Sequence, residues 1–282
     1  MENRPIHIAI TLNEKYLIPA CVMLTSLQEN NPQHTFHVHI STDYNSIKLS
    51  LLKSVIRRYG NSFSMYVLDD SFISRMKHFK LSNHAQLANY YRLFLTEILA
   101  ETIDIILYLD VDMVVQGDVA ELYDVSLDGN AIAAVSASTS PEETNALLNI
   151  PGGYEYFNSG VLLVNLNYFR NEKLADRFTE YVTRNAEKIK YWDQDVLNAL
   201  LYDKRITLSK EWNVDQHIYT LYPSLDVKII HFTGTHKPWN IPYCTHPLRA
   251  EYFKYLRRNQ MVFLADKILE ISQKIKNRIT RR

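Results

Sequence analysis

Short apolar runs alternate with amphipathic stretches through the first half of the chain. Runs rich in β-branched and aromatic residues predict strands at Ile6 to Thr11, Thr35 to Ser41, Ser62 to Leu68, Asp104 to Leu109, Ala131 to Ser136 and Gly160 to Asn165. Between them, Ile18 to Glu29, Ser46 to Tyr59 and Asn89 to Leu99 predict helices. In the second of these, Ile47, Leu51, Leu52, Val55 and Tyr59 share one face, the 3.6-residue period of a helix packed on a sheet. Asn30-Asn31-Pro32 ends the first helix and Gly60-Asn61 the second. The opening therefore reads as a βαβαβ unit, with a parallel sheet and covering helices. Beyond Ser138 the pattern loosens. Helices are expected at Glu142 to Leu148, Asn167 to Lys188 and Asp193 to Leu201, and strands at Arg205 to Leu208 and Val227 to Phe232. No Pro/Gly/Ser linker, internal repeat or low-complexity tract interrupts the chain. The fold class is α/β, a single domain over residues 1–246 with a mostly parallel central sheet, and a C-terminal helical extension over 247–282.

Composition narrows the class without changing it. At 282 residues, against a prior of roughly 150 per domain, the chain can bury a sizeable core, and 46% hydrophobic with 22% charged residues excludes disordered, collagenous and disulfide-scaffold classes. Cys21 and Cys244 stand far apart in a chain without a recognisable secretion signal, so reduced thiols and a cytoplasmic setting are expected. No apolar run reaches the roughly 18 residues of a membrane span. The zero net charge conceals an asymmetry. Arg257 to Arg282 holds eight basic residues against two acids, Asp266 and Glu270, which leaves 23 basic and 29 acidic residues for the rest. In that tail Leu264, Ile268, Ile271, Ile275 and Ile279 recur at helical spacing between Lys and Arg. The pattern fits either a helix lying on an anionic leaflet at the inner face of a membrane, which we favour, or one whose apolar face docks on the core. Nucleic acid is not an expected partner, because the body is acidic and no aromatic-plus-basic motif is present.

The sharpest candidate for chemistry is Ile105-Ile-Leu-Tyr-Leu-Asp110-Val-Asp112. A buried strand ends in two carboxylates one residue apart, at the end of an α/β sheet where ligands bind. Alternate residues of an extended chain point the same way, so both can face one Mn²⁺ or Mg²⁺ that holds a diphosphate. The same residues also fit the Asp-x-Asp-x-Val start of haloacid-dehalogenase-like phosphatases, with Asp110 as nucleophile, although that motif belongs at the end of a fold's first strand. Three further segments weigh against that alternative. Tyr156-Phe-Asn158-Ser159-Gly160 places a small polar turn before a strand, and Tyr191-Trp-Asp193-Gln194-Asp195 opens a helix with three polar side chains. His231-Phe-Thr-Gly234-Thr-His-Lys237-Pro-Trp239 ends a strand with an imidazole to complete the metal site, a glycine to admit phosphate and a lysine to neutralise it.

In order and spacing these four blocks resemble the retaining glycosyltransferases of family 8, which include bacterial lipopolysaccharide galactosyl- and glucosyltransferases and the glycogenins. The resemblance implies a GT-A nucleotide-sugar-binding domain, a UDP-glucose or UDP-galactose donor, Mn²⁺ dependence, retention at the anomeric carbon and a saccharide or lipid-linked glycan acceptor. It further implies that Asp110, Asp112 and His231 are the metal ligands, and that Gly234 and Lys237 hold the diphosphate. Arg92 would reach the donor sugar, with Asn158, Ser159, Asp193 and Gln194 around its ring and Thr11, Asn13 and Tyr16 at the uracil. His84 matches an acceptor-side histidine of the family. Two departures bear on this. The family often has an aspartate where Asn13 stands, and the strand ending at Ala137 lacks the aspartate that touches the acceptor in some relatives. Asp193, Gln194 and Asp195 are the catalytic candidates, with either Asp195 as a remote nucleophile or same-face attack beside the Gln194 amide. Same-face attack is favoured, because an amide is a poor nucleophile. A nucleotide-sugar-binding protein without turnover and a self-glucosylating primer are the alternatives of a different class.

Overall fold

The computed structural model describes residues 4–76, 79, 87–137, 142–240 and 244–279. Strands β1 (Ile6–Leu12), β2 (Phe36–Thr42), β3 (Ser62–Val67) and β4 (Ile105–Leu109) pair in parallel as β3-β2-β1-β4. The two-stranded β5 (Met113–Val115) and β9 (Ile229–His231) form a separate antiparallel ribbon. The main sheet continues from β4 through β7 (Phe157–Asn165) and β6 (Ile132–Ser136) to β8 (Arg205–Leu208), giving seven strands. Only β7 runs against its neighbours β4 and β6, so the sheet is mostly parallel, as expected.

Alternation along the strands sorts side chains to two faces. Ile8, Ile10, Val38, Ile40, Leu107 and Leu109 pack under α1 (Leu17–Asn30) and α2 (Leu49–Arg58). Ala9, Ile106, Tyr108, Ala134 and Leu162 pack on the other face with Phe178 of α9 (Leu174–Arg184) and Val196 of α10 (Trp192–Leu201). Shorter helices α3 (Asp70–Arg75), α6 (Ala120–Tyr123), α7 (Glu142–Leu147) and α11 (Gln216–Leu221) fill connections. Cys21 and Cys244 are buried free thiols.

Three local expectations are corrected. The helix expected over Asn89 to Leu99 is broken into α4 (Leu87–Tyr90), a 3₁₀ turn at Tyr91–Phe94 and α5 (Leu95–Ile98). The tighter turn accompanies the inward swing of Arg92, whose Nε lies 3.1 Å from Asn89 O. The helix expected over Asn167 to Lys188 divides into α8 (Leu166–Asn171) and α9, because Lys173 adopts a left-handed conformation at φ +49°. Ile47 precedes α2 and is exposed rather than sharing its apolar face.

The tail forms two helices. In α12 (Arg249–Arg258), Tyr252 and Tyr255 are buried against Val22, Val114 and Ile230, and Asn30 Nδ2 donates to Tyr255 Oη at 2.7 Å. The following α13 (Gln260–Ile279) docks through Val262 and Asp266, and leaves Leu264, Ile268 and Ile271 exposed. The described part of its apolar stripe therefore does not dock on the core, and the inward face carries a buried ion pair between Asp266 and Lys48 at 3.1 Å. Ile275 and Ile279 lie outside the described side chains. No helix among the described residues is long and apolar enough to cross a membrane.

Candidate active site

The site forms where β4 ends. Asp110 N donates to Gly160 O at 2.8 Å and Phe232 N donates to Asp112 O at 3.0 Å, which draws the ends of β4, β7 and β9 together. Asp110, Asp112 and His231 consequently bring ligand atoms within 4.8 Å of one another. His231 Nε2 lies 3.4 Å from Asp112 Oδ1 and 3.8 Å from Asp110 Oδ2. Its other nitrogen, Nδ1, lies 2.8 Å from Asn213 Oδ1, while Asn213 Nδ2 donates to Asn158 Oδ1 at 2.8 Å. The amide oxygen fixes the ring through Nδ1, which leaves Nε2 facing the two carboxylates.

That donor set, two carboxylates and an imidazole, fits a hard divalent cation such as Mn²⁺ or Mg²⁺. The backbone is built around the same space. A Cβ on Gly160 would stand 2.4 Å from His231 Cε1 and 2.9 Å from Asp110 Oδ2, so only glycine permits the three groups to converge.

Arg92 organises the other side. Although 4% exposed, it places Nη2 2.7 Å from Asp110 Oδ1, Nε 3.0 Å from Asp193 Oδ2 and Nη1 2.6 Å from Ser159 O. Its guanidinium also lies 4.4 Å from the centre of the Tyr108 ring. Tyr108 Oη donates to Asp110 Oδ1 at 3.0 Å and accepts from Thr11 Oγ1 at 2.8 Å. Burial opposes the charge of Arg92, but Asp110 and Asp193 outweigh it and raise its pKa further. Burial pushes the Asp193 carboxyl up to about 6, with Arg92 pulling against it and Asp110 adding to it.

Lys237 binds Asp112 Oδ2 and, at 2.6 Å, Phe232 O. Burial alone would favour the neutral acid at Asp112, but Lys237 and His231 outweigh it and hold this carboxyl well below the usual range. Gly234, at φ +72°, supplies the left-handed turn between His231 and Lys237. Across the cleft Tyr16 meets Trp239 edge-on, with ring centres 5.7 Å apart, and Asn13 Oδ1 caps the 3₁₀ turn Glu14–Tyr16 by accepting from Lys15 N.

A cleft of about 680 Å³ gathers Thr11, Asn13, Tyr16, Arg92, Asp110, Asp112, Asn158, Ser159, Asp193, Gln194, His231, Gly234 and Lys237 on its walls. Asp195 is not among them. It is fully buried, accepting from Tyr156 Oη at 2.6 Å, Lys190 N at 2.6 Å and Tyr191 N at 2.7 Å, so it ties the preceding loop to α10 rather than facing the cleft. Helical geometry explains this, because residues two apart on a helix are turned about 200° from each other, and only one of Asp193 and Asp195 can point into the cleft. Gln194 lies at the wall, its Oε1 accepting from Ser159 N at 3.1 Å and its Nε2 donating to Tyr156 Oη at 3.2 Å. His84 lies outside the described residues. Asn213 was not singled out from the sequence. It directly precedes Val214, which bridges to Ile230 of β9.

A doubly covered, mostly parallel sheet with an acidic pair at the end of a central strand fits the GT-A class of glycosyltransferase. Residues 7–241 match the sequence model of glycosyl transferase family 8, and the chain belongs to that family. It is 28% identical over 256 residues to a lipopolysaccharide 1,2-glucosyltransferase of Escherichia coli, covering 85% of this chain and 74% of that one. It is 26% identical over 267 residues to a lipopolysaccharide 1,3-galactosyltransferase of Salmonella typhimurium, covering 90% and 78%. The crystal structure of galactosyltransferase LgtC with donor and acceptor sugar analogues superposes with a TM-score of 0.81 at 23% identity, covering 90% of this chain and 96% of that one. Membership sets aside the phosphatase reading of Asp110.

Proposed function

We propose that the protein transfers a hexose, glucose or galactose, from its UDP conjugate to a saccharide or lipid-linked glycan acceptor, with retention at the anomeric carbon. The observation that carries this is the convergence of Asp110, Asp112 and the oriented His231 Nε2 beside Lys237 in one cleft. A bound Mn²⁺ or Mg²⁺ would supply charge neutralisation at the donor diphosphate. Lys237 adds a second positive charge for the departing UDP, and the Gly234 turn leaves room for phosphate next to backbone. Thr11, Asn13 and Tyr16 line the end of the cleft suited to the base. Arg92 clamps Asp110 and Asp193, leaving Asp193, Asn158 and Ser159 to bind sugar hydroxyls and fix the donor's orientation.

Retention needs a carboxylate nucleophile or attack from the face of departure. Asp195, buried and bound by three donors, is poorly placed for the first, which supports same-face attack with Gln194 beside the reacting carbon. A covalent sugar trapped on Asp195 with a slow donor analogue would reverse this. The names of the relatives support a lipopolysaccharide or other cell-surface glycan as acceptor. The exposed stripe of α13 together with the basic tail supports a peripheral position at the inner, cytoplasmic face of a membrane. A chain ending at Arg258 should then partition less onto anionic vesicles than the full chain.

The deciding experiment measures UDP release from a panel of UDP-sugars with and without Mn²⁺. One UDP-hexose should be turned over with metal only, and Asp112→Asn should lower the rate about a hundred- to a thousand-fold. Metal-dependent binding without any turnover would favour a binding protein. Hexose added to the chain itself, seen by intact mass, would favour a self-glucosylating primer.

A further inference from the structure

The 3₁₀ turn Glu14–Tyr16 lies between two residues of the cleft wall, Asn13 and Tyr16. Its first residue, Glu14, points away from the cleft, with Oε1 3.3 Å from Lys48 Nζ. Lys48 immediately precedes α2 and is buried, 5% exposed. Its ammonium also lies 3.1 Å from Asp266 Oδ1 and 3.7 Å from Glu270 Oε1, both on α13. One buried cation thus joins the start of α2, the turn after β1 and the C-terminal helix. Burial works against the charge on Lys48, but Asp266 and Glu14 outweigh it, so the cation persists.

We infer that Lys48 and Asp266 make helix α13 a strut that positions the nucleotide-binding turn. The far end of the strut is anchored. Asn259, at the corner between α12 and α13, donates from Nδ2 to Thr25 Oγ1 at 2.8 Å and to Tyr255 O at 3.0 Å. Thr25 belongs to α1, the helix that begins one residue after Tyr16. The turn is therefore held from both sides by the C-terminal helices: through Lys48 at its first residue, and through α1 at its last. Asp266 and Lys48 form the stiff, desolvated pair, while the half-exposed Glu14 transmits its position to the turn. Lys48 and Asp266 are positioning residues that do not line the cleft. Loss of the Asp266 charge frees the Lys48 head to follow Glu14 and Glu270 outwards, and the base-binding wall loosens with it. The inference rests on the cleft binding a UDP-linked donor.

The test compares the full chain with Asp266→Asn, Asp266→Glu and Glu14→Gln. It reads Kd for UDP in Mn²⁺ by calorimetry, kcat and KM for the donor, and Tm. Asp266→Asn should raise Kd and KM about five- to ten-fold with kcat within about two-fold, and Asp266→Glu should restore most of the loss. Glu14→Gln, at a half-exposed site, should raise Kd about three-fold with Tm unchanged. A lower Tm in Asp266→Asn with Kd unchanged in both it and Glu14→Gln would show a merely structural contact and overturn the strut. If Asp266→Asn does not fold, Glu14→Gln decides alone. If the wild-type chain binds no UDP at all, the donor reading fails first and the strut with it.

Discussion

Two polar clusters occupy one face of the same sheet and keep opposite states of charge. At the start of β1 and along β2, His7 Nδ1 lies 2.9 Å from His39 Nε2, and His39 Nδ1 lies 3.1 Å from Tyr66 Oη. His37 is bound by Ser62 and Ser64, each at 2.8 Å. These partners are hydroxyls and other imidazoles, so burial wins, pushing His39 down to about 3 with His37 and His7 adding to it. At the far end of β1, Thr11 leads through Tyr108 to Asp110 and Arg92, and there charge survives burial because each cation meets a carboxylate. The sheet face tolerates ions only where the sequence supplies both signs.

The largest expected effect comes from removing one sign at the charged end. Arg92→Met leaves Asp110 and Asp193 without their shared cation, and should cost about 3–5 kcal/mol in urea unfolding. An unfolding free energy within about 1 kcal/mol of wild type would mean that the pairing is not what sustains these charges.

A smaller effect separates the metal ligands from the scaffold around them. Gly160→Ala drives a Cβ into His231 and Asp110, and should weaken Mn²⁺ binding about ten- to a hundred-fold by calorimetry. Unchanged Mn²⁺ affinity in this variant would mean that His231 can move aside, and that the convergence is softer than the geometry implies.

This contrast also explains what was legible in the sequence. The strands β1, β2 and β4 announce themselves because runs rich in β-formers end at polar residues, Asn13, Asp43 and Asp110, and the acidic pair stands out because it ends such a run. Asp193 and Asp195 look equivalent as letters, and only the start of α10 at Trp192 turns one inwards to the cleft and the other into the wall. The break at Arg92 and the left-handed Lys173 have no Gly or Pro to mark them, and at Arg92 tertiary contacts drawing the side chain inwards override the helical pattern. Asn213 is silent for a related reason: its partners, His231 and Asn158, come from two other segments. In α13 the period was visible but not the side that docks, since the choice between leaflet and core turns on the pairing of Asp266 with Lys48 from a distant segment.

The smallest effect is the most discriminating, because the two clusters should respond to acid with opposite sign. His39 has a folded pKa near 3, below the ordinary histidine value of 6.5, so the stability tied to its neutral form is complete above pH 6.5 and is lost as pH falls towards 3. Asp193 has a folded pKa near 6, above its ordinary 3.8, so its contribution is complete below pH 3.8 and is lost as pH rises through 6. Between pH 7 and pH 5, acidification should therefore cost about 1–2 kcal/mol through His39 and return about 1 kcal/mol through Asp193. Unfolding free energies of the metal-free chain at the two pH values measure the sum, and single variants separate its parts. His39→Phe should flatten the loss on acidification, whatever it does to stability at pH 7. Asp193→Asn should steepen it, because the compensating protonation is gone. Parallel slopes in wild type and both variants would mean that neither cluster is held away from its ordinary titration, and that the contrast between the two ends of β1 is one of hydrogen bonding without consequence for charge.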